Sequence, residues 1–102
     1  MEDITVQELK ARIDAGETLN LIDVREPYEY DEFNIGGRLV PLAEIMTVLP
    51  DFEDQKDAEI LVHCRSGKRS DMAKQLLQGM GLTNVRNVLG GILAWQEAFP
   101  AK

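Results

Sequence analysis

The chain has one cysteine, Cys64, and it opens the run Cys64-Arg65-Ser66-Gly67-Lys68-Arg69-Ser70, where three cations and two hydroxyls follow the thiol within six residues. A thiol attacks as its thiolate, and nearby cations or a helix N-terminus lower its pKa from ~8.5 into the range of about 3.5–7.5. Cys64 is therefore the candidate nucleophile. The spacing suggests a basic, anion-receiving loop: Arg65, Lys68 and Arg69 supply charge, Ser66 and Ser70 supply hydroxyl donors, and Gly67 supplies freedom at the turn. The competing reading is a small hydrophobe ending a buried strand, since free cysteine is among the most buried residue types. The concentration of cations and hydroxyls favours the reactive one. His63 precedes Cys64, but adjacent residues of a strand point to opposite faces, and His63 is the only histidine. A cysteine hydrolase with a histidine base is thus disfavoured.

Local pattern supplies the elements that hold this loop. Ile60, Leu61 and Val62 form an apolar approach, and Ala73, Leu76, Leu77 and Met80 recur at i, i+3, i+4 and i+7 beyond it. That order predicts strand, loop, helix, with unpartnered backbone N–H groups of the helix start aimed at an anion. Upstream, Thr5-Val6-Gln7-Glu8 fits a capping box, and Val6, Leu9 and Ile13 share one helical face before Gly16. Leu19 to Val24 reads as a buried strand emitting Asp23 and Arg25, followed by a short helix at Pro27 in which Arg25 can pair with Glu29. Leu39–Val40 predicts a short strand, and Ala43, Met46 and Val48 a short helix ended by Pro50. Val85, Val88 and Leu89 mark a further strand. Gly90-Gly91 turns into a last helix carrying Ile92, Trp95 and Phe99. Met46, Met72, Met80 and Trp95 read as core. Strands alternating with helices predict an α/β fold with a mostly parallel sheet, and such sheets bind ligands at the carboxyl ends of their strands. Asp23 and Arg25 then share an edge with Cys64.

Composition narrows the function classes. The 102 residues are read as one domain, residues 1–102, with 44% hydrophobic and 28% charged residues, a net charge of −7 and a pI near 4.6. So acidic a chain argues against nucleic-acid or anionic-membrane binding, and no apolar run approaches the ~18 residues of a membrane span. The acidic start lacks a leader's apolar stretch. A lone cysteine forms no internal disulfide, which together with the absence of a leader points to a reducing, cytoplasmic setting. No G-x-G-x-x-G or G-K-S/T pattern marks a nucleotide cofactor. Asp51 to Glu59 is a charged connector without the His or Cys ligands of a metal site, so neither metal nor cofactor is expected.

Cys64-Arg65-Ser66-Gly67-Lys68-Arg69-Ser70, Asp23-Val24-Arg25-Glu26-Pro27-Tyr28-Glu29 and Gly90-Gly91-Ile92-Leu93-Ala94-Trp95 resemble, in order, the landmarks of single-domain rhodanese-like sulfurtransferases. The resemblance implies a three-layer fold with a five-stranded sheet flanked by helices, and Asp23 and Arg25 bracing the loop from behind. It also implies sulfur transfer through a Cys64 persulfide, from an anionic donor such as thiosulfate to cyanide, a thiol or a protein. The chain departs from the family where Asn34 and Arg38 stand at positions commonly His and Ala, at the pocket rim. Two alternatives follow from the same loop. The related dual-specificity phosphatases read H-C-x5-R, whereas Arg69 here gives H-C-x4-R, a tighter cradle. A non-catalytic interaction module is disfavoured by the intact cysteine loop.

Overall fold

In the computed structural model, residues 2–100 are described. Helix α1 (Val6–Asp14) is capped by Thr5, whose Oγ1 accepts from Glu8 N at 3.1 Å, as the sequence predicts. Then follow β1 (Leu21–Asp23), α2 (Pro27–Glu32), β2 (Arg38–Leu39), a 3₁₀ segment (Leu42–Phe52), β3 (Ile60–His63), α3 (Lys68–Gly79), β4 (Val85–Asn87) and α4 (Gly91–Ala98). All pairings are parallel and the strand order is β2-β1-β3-β4. The chain runs outward from β1 in one direction to β2 and in the other to β3. The crevice at the carboxyl ends of β1 and β3 is therefore the switch point, where open α/β sheets place ligands.

The strands are shorter than their apolar runs predict, and the sheet has four rather than five. The fifth is reduced to one residue. Ile4 bridges Val88 in parallel, its N–H donating to Asn87 O at 3.0 Å and its carbonyl accepting from Leu89 N at 2.9 Å. Beyond it the Thr5 cap turns the chain into α1, so no further residue pairs; Glu8, expected to reach back and complete a capping box, faces Arg86 instead at 3.3 Å. Leu89, read as strand, is exposed.

Strand alternation sorts the core into two layers. On one face Ile22, Val24, Ile60, Val62 and Cys64 meet Ala73 and Leu77 of α3 and Ile45 and Val48 of the 3₁₀ segment. On the other face Leu21, Leu61 and Val88 meet Val6 and Leu9 of α1, with Trp95 and Phe99 of α4 packed against them at the edge. Cys64 thus continues the face of Ile60 and Val62, while His63 shares parity with Leu61.

Several sequence expectations fail at the surface. Met46, Met72 and Met80 are exposed rather than core. Leu76 is exposed as well, because only the Ala73–Leu77 line of α3 meets the sheet. Trp95 is only partly buried, edge-on to Phe99 with centroids 5.0 Å apart. The helix expected to stop at Pro50 runs through it as a 3₁₀ segment, and the connector beyond hides two structural residues. Phe52 is buried, and Glu59 accepts from both Arg12 and Arg86 at 2.6–2.9 Å.

Leu77 has no exposed surface and is the deepest anchor of the helix that carries the loop. Leu77→Ala should lower stability by ~2–5 kcal/mol through lost transfer energy and a residual cavity. Urea unfolding should show a lower midpoint with an unchanged slope.

Candidate active site

Cys64 directly follows β3 and is 1% exposed. Between it and α3 the chain must reverse tightly, and Gly67 takes the turn at φ 107°, a left-handed conformation that side chains rarely adopt. The reversal directs N–H groups back at the sulfur. Gly67 N lies 3.1 Å from Sγ, Ser70 N 3.5 Å and Ser70 Oγ 3.4 Å. Burial pushes the thiol pKa up. Against it act the Ser70 hydroxyl and the N–H groups of Ser70, Gly67 and Ser66, and the balance leaves Cys64 below the ordinary thiol value. Hydrogen bonds to the charged form outweigh desolvation here.

If N–H groups point at the sulfur, the loop's carbonyls must point away and find donors elsewhere. Cys64 O accepts from Ile92 N at 2.9 Å, and Arg65 O from Leu93 N at 3.0 Å. These are first-turn N–H groups of α4, which have no partner within their own helix. The approach requires a glycine: a Cβ on Gly91 would sit 2.4 Å from Cys64 O and 2.8 Å from Arg65 O. Gly67 O accepts from Asn87 Nδ2 at 3.1 Å, and Asn87 Oδ1 faces Ser70 Oγ at 2.6 Å. Sequence reading missed Asn87. A polar residue at the strand parity of buried Val85 was the available signal.

The other predicted residues fall into two groups. Arg65, Ser66 and Lys68 have exposed side chains around the loop. Arg69 is held instead by Glu29, in a two-pronged ion pair with Nη1–Oε1 at 2.6 Å and Nη2–Oε2 at 2.9 Å. This guanidinium holds the Glu29 carboxyl down at about 2. The loop is thereby tied to α2.

Arg25 does not pair as the sequence suggested. Arg25 binds Asp23 rather than Glu29: Nε and Nη2 reach the carboxylate at 2.8–3.1 Å, and Nη2 also donates to Phe33 O at 2.7 Å. Both are buried. Asp23 is the register partner of His63 in the parallel pair, and His63 Nε2 stands 3.8 Å from its Oδ2, beyond hydrogen-bond reach. Neither ring nitrogen has a partner. Burial, opposed by the Asp23 charge and assisted by that of Arg25, pushes His63 down to about 4. The ring is neutral and on the wrong face to serve the sulfur.

The Rhodanese-like domain family model matches residues 5–98. The chain is 34% identical over 94 residues to a putative sulfur carrier protein of Bacillus subtilis, covering 91% of this chain and 50% of that one. It is 32% identical over 101 residues to a sulfurtransferase of Allochromatium vinosum, covering 93% and 88%. Among solved structures it superimposes on a human single-domain sulfurtransferase with a TM-score of 0.78 at 27% identity, covering 93% and 95% of the two chains. The chain thus spans half of the first relative's length and nearly all of the second's.

Two outcomes are expected. The rate of iodoacetamide alkylation at Cys64, followed against pH, should show its inflection below the ~8.5 of a free thiol; an inflection at or above that value sinks the donor arrangement. For His63, the folded state holds the ring below its unfolded 6.5, so below pH 6.5 the unfolded chain binds a proton that the folded one refuses. Stability therefore falls as pH drops from 6.5 and levels off below about 4. His63→Leu should flatten that part of the unfolding free-energy profile.

Proposed function

The chain belongs to the rhodanese-like domain family, and from that premise we propose that it is a sulfurtransferase working through a persulfide on Cys64. The Cys64 thiolate attacks the outer sulfur of an anionic donor such as thiosulfate. A new S–S bond forms, the donor's bond to that sulfur breaks, and sulfite leaves with the electron pair. An acceptor thiolate or cyanide then attacks the outer sulfur of the persulfide and restores the Cys64 thiolate.

The observation that carries this reading is the set of donors converging on Sγ, two N–H groups and one hydroxyl at 3.1–3.5 Å. Such a basket stabilises an anionic sulfur much as an oxyanion hole stabilises an alkoxide. Arg65 and Lys68 are the exposed cations at its edge and receive the donor's charge. Arg69 acts through Glu29 to hold the loop. Asp23 and Arg25 brace the β1 end of the same crevice. Since Cys64 has no second cysteine to resolve its persulfide, the acceptor is external: cyanide, a small thiol or a protein. A relative named a putative sulfur carrier favours a protein acceptor. A reducing, cytoplasmic setting suits a lone exchangeable thiol. Among the described residues, no helix is long and apolar enough to cross a membrane.

Intact-protein mass after incubation with thiosulfate or mercaptopyruvate should show a single-sulfur adduct that dithiothreitol removes. Cys64→Ser should lose it, and Arg65→Met or Lys68→Met should raise the KM for thiosulfate. Turnover of an aryl phosphate through a Cys64 phosphoenzyme, with no sulfur uptake, would replace this reading with the phosphatase one. No reaction of either kind leaves an interaction module.

A further inference from the structure

We propose that Asn87 is a positioning residue of the sulfur site, one that competes with the Cys64 sulfur for the single hydroxyl proton of Ser70. The proposal deepens the sulfurtransferase reading and rests on it for its biological meaning, though not for its test. Asn87 ends β4 with 6% of its surface exposed. Its side-chain orientation is fixed by chemistry: Gly67 O can only accept, so the group 3.1 Å away is the Asn87 amide nitrogen. The amide oxygen therefore faces Ser70 Oγ, 2.6 Å away. That oxygen can only accept as well, so the Ser70 hydroxyl must donate to it.

Ser70 Oγ also lies 3.4 Å from Cys64 Sγ, and a hydroxyl carries one proton. Two arrangements result. With Cys64 as a thiol, the hydroxyl donates to Asn87 and its lone pair accepts the S–H. With Cys64 as a thiolate, the sulfur is acceptor only, and the hydroxyl serves it by turning away from Asn87. A charge-assisted bond is the stronger of the two, but the turn strips a nearly buried amide oxygen of that donor. Asn87 thus limits how far the Ser70 hydroxyl can favour the thiolate.

Partners or burial hold Arg69, Glu29, Asp3 and His63 each in one charge state across the range in which a thiol titrates. Arg69 is raised and Glu29 lowered to about 2 by their mutual ion pair. Behind Asn87, its backbone N–H donates to Asp3, which Lys74 also binds. Burial pushes the Asp3 carboxyl up, but these two partners hold it below the usual range. His63 is neutral above about 4. The cations Arg65 and Lys68 flank the loop on the solvent side, and the Asp23–Arg25 pair is buried beside His63. The alkylation profile therefore reports Cys64.

The test is a cycle of Asn87→Ala, Ser70→Ala and the double variant, each followed by iodoacetamide alkylation against pH. Competition predicts that Asn87→Ala lowers the inflection and raises the thiolate fraction on its acid side ~5-fold, the size of one net hydrogen bond. Ser70→Ala should raise the inflection, and adding Asn87→Ala to it should bring no fall. A purely structural Asn87 predicts the opposite, since a slack loop withdraws donors and the inflection rises. An unchanged or raised inflection in Asn87→Ala overturns the proposal. Should that variant not fold, the wild-type protein still decides. The Asn87 Cγ resonance should shift with the alkylation inflection and stop doing so in Ser70→Ala, and a resonance indifferent to pH overturns the competition. Alkylation needs no sulfur donor, so a protein that takes no sulfur yet shows the Asn87 effect fails only the function, and the converse result fails only this inference.

Discussion

A buried sulfur that is to become an anion needs hydrogen-bond donors, and at a strand-to-helix junction the nearest are the backbone N–H groups of the turn. A turn that gathers N–H groups inward also leaves carbonyls facing outward, and each of those needs a donor of its own. The fold answers that demand from two other elements. Helix α4 receives the Cys64 and Arg65 carbonyls on its first-turn N–H groups, and β4 receives the Gly67 carbonyl on Asn87. The cradle around the sulfur is thus a property of three elements. The Gly90-Gly91 pair, remote in sequence, is as much a part of it as the loop itself.

On the opposite face of the sheet the same crevice holds a different arrangement. Asp23 and Arg25 form a nearly inaccessible ion pair, and such pairs are weak sources of stability because desolvation offsets the Coulomb gain. What this one supplies is geometry, since Arg25 also grips Phe33 O and so fixes where the chain leaves α2. Helix α2 in turn carries Glu29, which holds Arg69 at the start of α3. The chain of contacts Asp23, Arg25, α2, Glu29, Arg69 closes the crevice from the side opposite α4. Removing one charge from the buried pair would strand the other, a far larger cost than the pair's net worth.

The sequence was most readable where one short stretch carries its own signal. Thr5 caps α1 because an N-cap is a local signal, and Cys64 with Gly67 and Ser70 lies within one loop. Partnerships between distant residues were not readable in the same way. Arg25 chose Asp23 because burial brought two neighbours of equal parity together, leaving Glu29 to Arg69, forty positions away. Asn87 carried only the faint mark of a polar residue at the parity of Val85. The methionines misled because hydrophobicity predicts burial only for the residues whose helix face meets the sheet, and Met72 and Met80 lie off the Ala73–Leu77 line. The fifth strand failed for want of length, not of apolar residues.

Arg69's engagement with Glu29 also changes the electrostatic picture of the proposed donor capture. Three cations in the loop become two exposed ones and one neutralised pair, set in a chain whose net charge is −7. At low ionic strength, where the Debye length is about 30 Å, an approaching anion feels the whole acidic molecule and is repelled. At physiological salt the length is about 8 Å, and only the nearest charges, Arg65 and Lys68, remain in view. Screening thus removes the long-range repulsion before it removes the short-range attraction. A site that receives an anion on an acidic protein works best when its cations stand at the mouth, within a Debye length of the sulfur, and the internal ion pair is given over to holding the loop in shape.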